Sequence, residues 1–300
     1  MSRSQSTCSD AVLLAAAPAR QATVRQGLLW INILGLDAPL VAWLWQDFFA
    51  WNLGVKLGFA PRVILFLAVW LAYAADRWLD GWRIPAGAAV TPRHRFAQRY
   101  RIALAWIWCA VLVVAVALSW FCLARELFER GIWLMGGVLI YLLLNQWPRT
   151  TGWLRGFKEV AVALLFAAGT MIFIPPEQIR TPYPVWRPVA GWCCLCFLNC
   201  YAIACWERDQ DRAERQESLV TRWPRLAGVF KGVALLLALF ALAPMLVRPV
   251  MDPPRIGLAV ASSAVALAML DHWSGSIESN LLRTLADLVL LTPLLFRFLP

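Results

Sequence analysis

Apolar runs of about twenty residues recur along almost the whole of this 300-residue chain. A run of about that length is what an α-helix needs to cross a hydrocarbon core of roughly 30 Å. Inside lipid every backbone N–H and C=O must be satisfied within the protein, so only helices and closed barrels can span. No strand-like alternation of apolar and polar residues competes with the helical reading. Composition agrees, with 61% hydrophobic and 15% charged residues; an ordinary globular domain carries roughly 45–50% and about 25%. The pattern predicts an all-α polytopic membrane protein with nine helices: about 27–46, 59–79, 102–123, 131–147, 158–175, 187–206, 228–247, 256–271 and 281–299. The fourth is short, and the first is interrupted by Asp37 and Pro39. Pro175 and Pro176 are expected to end the fifth, because proline cannot continue the hydrogen-bonding ladder.

Lys and Arg orient the bundle. With the N-terminus in the cytoplasm, 19 of the 28 basic residues fall on the cytoplasmic side, as the positive-inside rule requires. The expectation is a multi-pass protein of the plasma (inner) membrane: a polar cytoplasmic tail over 1–26, then a transmembrane domain over 27–300. The tail has neither a signal-peptide core nor a cleavage site, although its Ser-bearing, acid-poor composition also suits a transit peptide. The net charge of +10 reflects basic loops facing anionic headgroups. Because the basic residues are parcelled out among spans, nucleic acid is not an expected partner; membrane lipids are.

Several conspicuous residues are expected to be structural. "CCLC" (193–196) sits in an apolar helical run, where neighbours point about 100° apart, so Cys193, Cys194 and Cys196 cannot converge on one ion. Most of the eighteen tryptophans cluster near span ends, as interfacial belt residues do. His94 and His272 are too scattered to form a metal site of their own.

Chemistry is expected where "DRWLD" (76–80) and "ERDQD" (207–211) close two apolar runs, 131 residues apart and both on the cytoplasmic side. Each spells acid–Arg–x–x–Asp. Asp76 and Asp80 are four apart and share a helix face, as do Glu207 and Asp211, and Asp209 adds a further carboxylate. Like charges so placed repel unless a cation sits between them. Acids at a membrane edge are costly and are usually functional. Hard oxygen ligands suit Mg²⁺, which takes one or two carboxylates and completes its shell with water and phosphate oxygens. A basic loop follows each word, with Arg83, Arg93, His94, Arg95, Arg99 and Arg101 after the first, and Arg212, Arg215, Arg222 and Arg225 after the second. Acid for metal and base for anion reads as one Mg²⁺–diphosphate site. The alternative is a pair of charged helix ends held by surface salt bridges, worth about 0–1 kcal/mol each.

In layout and in these two words the chain resembles the UbiA superfamily of intramembrane prenyltransferases. That family has nine transmembrane helices, an NDxxDxxxD motif after the second and a DxxxD motif after the sixth. Here "AYAADRWLD" keeps Asp76 and Asp80, with Ala72 and Tyr73 standing for Asn and the first Asp; Glu207 replaces the first Asp of the second motif and Asp211 keeps the second. The resemblance implies Mg²⁺-dependent transfer of an isoprenyl group from its diphosphate to a lipophilic, often aromatic, acceptor. Asp76, Asp80, Glu207, Asp209 and Asp211 would hold the metal. Arg77, Arg93, Lys158 and Arg208 would bind phosphate, with Lys158 otherwise a snorkelling lysine. Tyr73, Tyr201, Trp78 or Trp206 would offer a ring face to the allylic cation.

Three other readings compete. A transporter would place charged or helix-breaking residues mid-span, and only Asp37 with Pro39 answers to that. A CDP-alcohol phosphotransferase needs DGxxAR, which "DGWRIPAG" (80–87) does not meet. A UbiA-like protein that binds a prenyl lipid without turnover would accommodate the departures at Ala72, Tyr73 and Glu207.

Overall fold

A computed structural model describes residues 26–27, 29–83, 92–146, 157–179, 184–213, 217–247 and 254–297. The expected tail, save its last residue, lies outside them. The helices are α1 (Asp37–Asn52), α2 (Phe59–Arg83), α3 (Pro92–Arg99), α4 (Arg101–Cys122), α5 (Arg125–Gln146), α6 (Lys158–Met171), α7 (Trp186–Trp206), α8 (Arg208–Ala213), α9 (Leu219–Arg222), α10 (Phe230–Val247), α11 (Pro254–His272), α12 (Ser279–Val289) and α13 (Pro293–Phe296), with no strand among the described residues.

Among the described residues, seven stretches are long and apolar enough to cross a membrane: Phe59–Leu79, Arg101–Cys122, Arg125–Asn145, Trp186–Trp206, Pro224–Met245, Pro254–His272 and Ser279–Phe296. The first and fifth of the nine expected spans do not reach that standard. α1 has 16 residues and α6 has 14. At 1.5 Å per residue α6 covers only about 21 Å, and it stops at Met171, short of Pro175. The fourth span, by contrast, is longer than the sequence reading allowed. The expected span opens at 131, yet helix α5 begins at Arg125, whose Nε donates to Glu129 Oε1 one turn on at 2.9 Å.

The interior is organised by two indoles. Trp45 of α1 and Trp192 of α7 are fully buried and stack with centroids 4.0 Å apart. Trp45 Nε1 donates to Leu290 O at 2.8 Å, and Trp192 Nε1 to Thr170 Oγ1 at 2.8 Å. Four helical segments are thereby tied at one point. The outer faces of α4 and α5 are apolar and exposed, for example at Trp106, Phe121, Trp133 and Leu143, as helices bordering lipid should be.

Two helices are broken, and side chains satisfy the freed carbonyls. Between Val289 and Pro293 the last span kinks at a proline. There Ser263 Oγ donates to Val289 O at 3.0 Å while Trp45 takes Leu290 O. The first apolar run breaks over Leu34–Leu36, where Gly35 adopts φ 69°. Trp70 Nε1 donates to Leu34 O at 3.1 Å and Arg77 donates to Asn32 O. Asp37 opens the next helix, accepting from its neighbour's N–H at 3.0 Å and from Asn32 Nδ2.

A Cβ built on Gly257 of α11 would lie 2.6 Å from Ala241 O on α10, whereas Gly136 of α5 has nothing within 4 Å. Gly257→Val should push α10 and α11 apart and cost on the order of 1–3 kcal/mol. Melting of the detergent-purified protein should fall for Gly257→Val and stay level for Gly136→Ala.

Candidate functional site

The two acidic words end at the same place. Asp76 of α2, Glu207 at the end of α7 and Asp211 of α8 line one cavity of about 180 Å³. Asp80 lies on α2, but its side chain, like that of Arg93 on α3, lies outside the described residues. The helical path bends at Glu207 and continues, with Asp211 N donating to Glu207 O at 2.8 Å. This keeps the i, i+4 relation and buries both carboxylates, which are 4% and 8% exposed. Asp209 points the other way, is largely exposed and sits 3.6 Å from Arg208 and 3.7 Å from Arg212. It does not line the cavity, and neither does Arg208.

Lys158, the first residue of α6, lines the cavity, and among the described side chains it is the sequence-derived cation brought to the acids. Arg77 faces away from them. Its guanidinium lies over the Tyr73 ring at 4.5 Å and 3.8 Å from Asp37, bracing the break in the first apolar run. Tyr73 lines the cavity. Tyr201 does not: it stacks on Phe197 and donates its hydroxyl to Leu226 O, a packing role. Trp206 is likewise structural, its Nε1 donating to Asp271 Oδ1 at 2.9 Å. Cys193 and Cys194 stay outside the cavity, while Cys196 lines it as a buried thiol.

Sequence reasoning missed most of the opposite wall. Arg283 and Asp287 are one turn apart on α12, inside the last apolar span, and both line the cavity. Arg283 Nη1 bonds Glu207 Oε2 at 2.8 Å, and its Nη2 donates to Tyr73 Oη at 3.4 Å. The guanidinium therefore fills the corner where Tyr73 and Glu207 meet. Asn199 Nδ2 donates to Asp287 Oδ1 at 3.0 Å, and the Asp287 carboxyl neighbours that of Asp37. Asn145 Nδ2 donates to Asp76 Oδ1 at 3.3 Å. Glu159, next to Lys158, is 4% exposed and lines the cavity too. A scan for ionisable residues inside spans would have found Arg283 and Asp287.

Among the described lining residues, five carboxylates (Asp76, Glu159, Glu207, Asp211, Asp287) face two cations, Lys158 and Arg283. An anionic ligand entering such a cavity needs accompanying cations. No group of three acids, histidines or cysteines among the described residues is arranged to hold a metal. Mg²⁺ does not require one, since one or two carboxylates suffice when phosphate oxygens and water complete the shell. The all-oxygen donor set fits that ion.

A second cavity of about 330 Å³ adjoins the first and shares Tyr73, Asp76, Tyr141, Val162 and Phe166 with it. Beyond this neck its walls, from α2, α4, α5 and α6, are apolar except for Ser119. A polar chamber thus adjoins a larger apolar one. No family model, no curated protein and no solved structure matches the chain.

Arg283 and Glu207 form a buried pair, their side chains 16% and 5% exposed. Arg283→Ala strands a carboxylate away from water and should cost on the order of 3–5 kcal/mol, whereas an apolar replacement of both partners should recover most of that. Melting in detergent of Arg283→Ala and of the Arg283→Met, Glu207→Leu double variant should show the loss and the recovery. Wild-type melting of Arg283→Ala would mean the pair is solvated.

Proposed function

We propose that the chain is a divergent UbiA-type prenyltransferase, moving an isoprenyl group from a prenyl diphosphate to a lipophilic acceptor with Mg²⁺. The observation that supports it is the junction at Tyr73 and Asp76: a cavity rich in carboxylates, with Lys158 on its wall, opens there into an apolar one. The diphosphate would sit against Lys158 with its metal towards Asp76 and Asp211. The prenyl chain would lie between α2, α4, α5 and α6. A further cavity of about 370 Å³ runs along the α5–α6 seam and meets the polar one at Tyr141, Asn145 and Lys158, a side path for a lipid-dissolved acceptor.

In the reaction the C1–O bond of the allylic diphosphate breaks and its electron pair leaves with the diphosphate. The acceptor then bonds to C1 and gives up a proton. Asp76 and Asp211 would hold the Mg²⁺, which when bound would offset charge on the leaving group. Lys158 supplies a fixed positive charge on the same oxygens, and such preorganised groups give the largest share of catalysis. Tyr73 and Tyr141 line the neck and would offer a ring face to a cation formed at C1. Arg283 holds Glu207 and Tyr73 in place.

The second reading, a protein that binds a prenyl lipid without turning it over, draws on one observation: Arg283 already occupies the Glu207–Tyr73 corner. Turnover separates the two. Purified protein supplied with labelled geranylgeranyl diphosphate and a panel of aromatic and lipid-alcohol acceptors should form a prenylated product. Asp211→Asn and Asp76→Asn should each lower its rate on the order of 10²-fold or more. Tight binding with no product from any acceptor would favour the second reading, and absence of binding would end both.

The same proposal carries an orientation in the plasma membrane, N-terminus inside. Cysteines introduced in the 84–91 and 214–216 segments should both be labelled from the cytoplasmic face. Labelling from opposite faces would remove the single site.

A further inference from the structure

Glu159 stands one residue from Lys158 at the start of α6, outside both acidic words. One of its oxygens has a clear occupation. Glu159 Oε1 accepts from Leu219 N at 3.1 Å, closing the N-terminus of the short helix that Ser218 caps. The other oxygen, Oε2, is buried and has no hydrogen-bond partner, although the residue lines the polar cavity. A glutamine would cap Leu219 equally well and would bring no charge into the interior. A carboxylate here also lies within electrostatic reach of Asp211, itself buried. Lys158 beside Glu159 offsets one of the charges gathered in this cavity, and a divalent cation reaching both carboxylates would offset more.

The rest of the wall narrows where that cation would sit. Glu207 is committed to Arg283, and Tyr73 stands where the family motif has an acid. We infer that Glu159 is a metal-binding residue, its free Oε2 joining Asp211 to hold a divalent cation that arrives with a diphosphate. The inference rests on the proposed function and gives that site a carboxylate from α6, which neither Asp-rich motif contains. It replaces, from another helix, the oxygen ligand lost at position 73. Two carboxylates with phosphate oxygens and water meet the demand of Mg²⁺.

Equilibrium dialysis of the full-length protein in detergent with radioactive Mn²⁺ and inorganic diphosphate reads this directly, without turnover. Wild type should retain Mn²⁺ in a diphosphate-dependent way. Glu159→Gln, which keeps the cap on Leu219, should bind it at least tenfold more weakly while melting like wild type in the absence of metal. Asp209→Asn should bind as wild type does. If Glu159→Gln does not fold, Glu159→Asp, which keeps the charge but withdraws both oxygens, carries the same expectation. Equal Mn²⁺ retention by wild type and the Glu159 variant would overturn the inference and leave the proposed function standing. No retention by wild type would overturn both.

Discussion

A charge surrounded by protein and lipid must find its counter-charge within the bundle, and the interior of this molecule is arranged around that requirement. Removing an ion from water costs several kcal/mol even after the surroundings relax. The ionisable groups inside the helices are accordingly gathered rather than scattered. Arg283 pairs with Glu207, Arg77 lies beside Asp37, and Asn199 supports Asp287. These contacts join the first apolar run, α2, α7 and α12 at one level. Both breaks in the helical ladder follow the same rule, because the carbonyls they free are taken by Trp45, Ser263, Trp70 and Arg77. Chain irregularity is tolerated in such a bundle only where side chains complete the hydrogen bonding.

Neutralisation is incomplete in one place. Among the described residues lining the cavity the carboxylates outnumber the cations, and Glu159 carries an oxygen without a hydrogen-bond partner. An acid excess buried at such cost is what a site awaiting cations would have. On the proposed function those cations come with a diphosphate whose hydrocarbon tail enters the adjoining apolar cavity. On that proposal Tyr73 and Glu207 would form one local rearrangement with Arg283, which occupies the corner they share, and a metal would sit towards Asp76, Asp211 and Glu159.

Much of this was legible in the sequence, for reasons that also explain the remainder. Long apolar runs specify spanning helices through length alone, so the seven long stretches could be read directly. Charge patterns misled where they lie within helices. The Arg125–Glu129 pair satisfies itself one turn apart, so it continues α5 instead of ending it. The repeated acid–Arg–x–x–Asp word pointed to Asp76, Glu207 and Asp211 because a helix displays i, i+4 residues on one face. The same logic overreached at Asp209, which helical geometry turns to the surface. Arg283, Asp287 and Glu159 went unread because they fall in windows dominated by apolar residues, where hydropathy registers a span and passes over the charges. Which helices meet is a tertiary fact, and the pairing of Arg283 with a residue 76 positions earlier leaves no local trace.

The central claim is that two words far apart in sequence act as one site. A double-mutant cycle tests it, using Mg²⁺-dependent binding of geranylgeranyl diphosphate to wild type, Asp76→Asn, Asp211→Asn and the double variant. Independent sites add within roughly 0.3–0.5 kcal/mol, while residues sharing a partner depart from additivity by about 0.5–3 kcal/mol. The account predicts weaker binding in each single variant and a double variant little worse than the weaker of the two. Additive losses would contradict a shared ligand, and unchanged binding in all four proteins would reduce both words to charged helix ends.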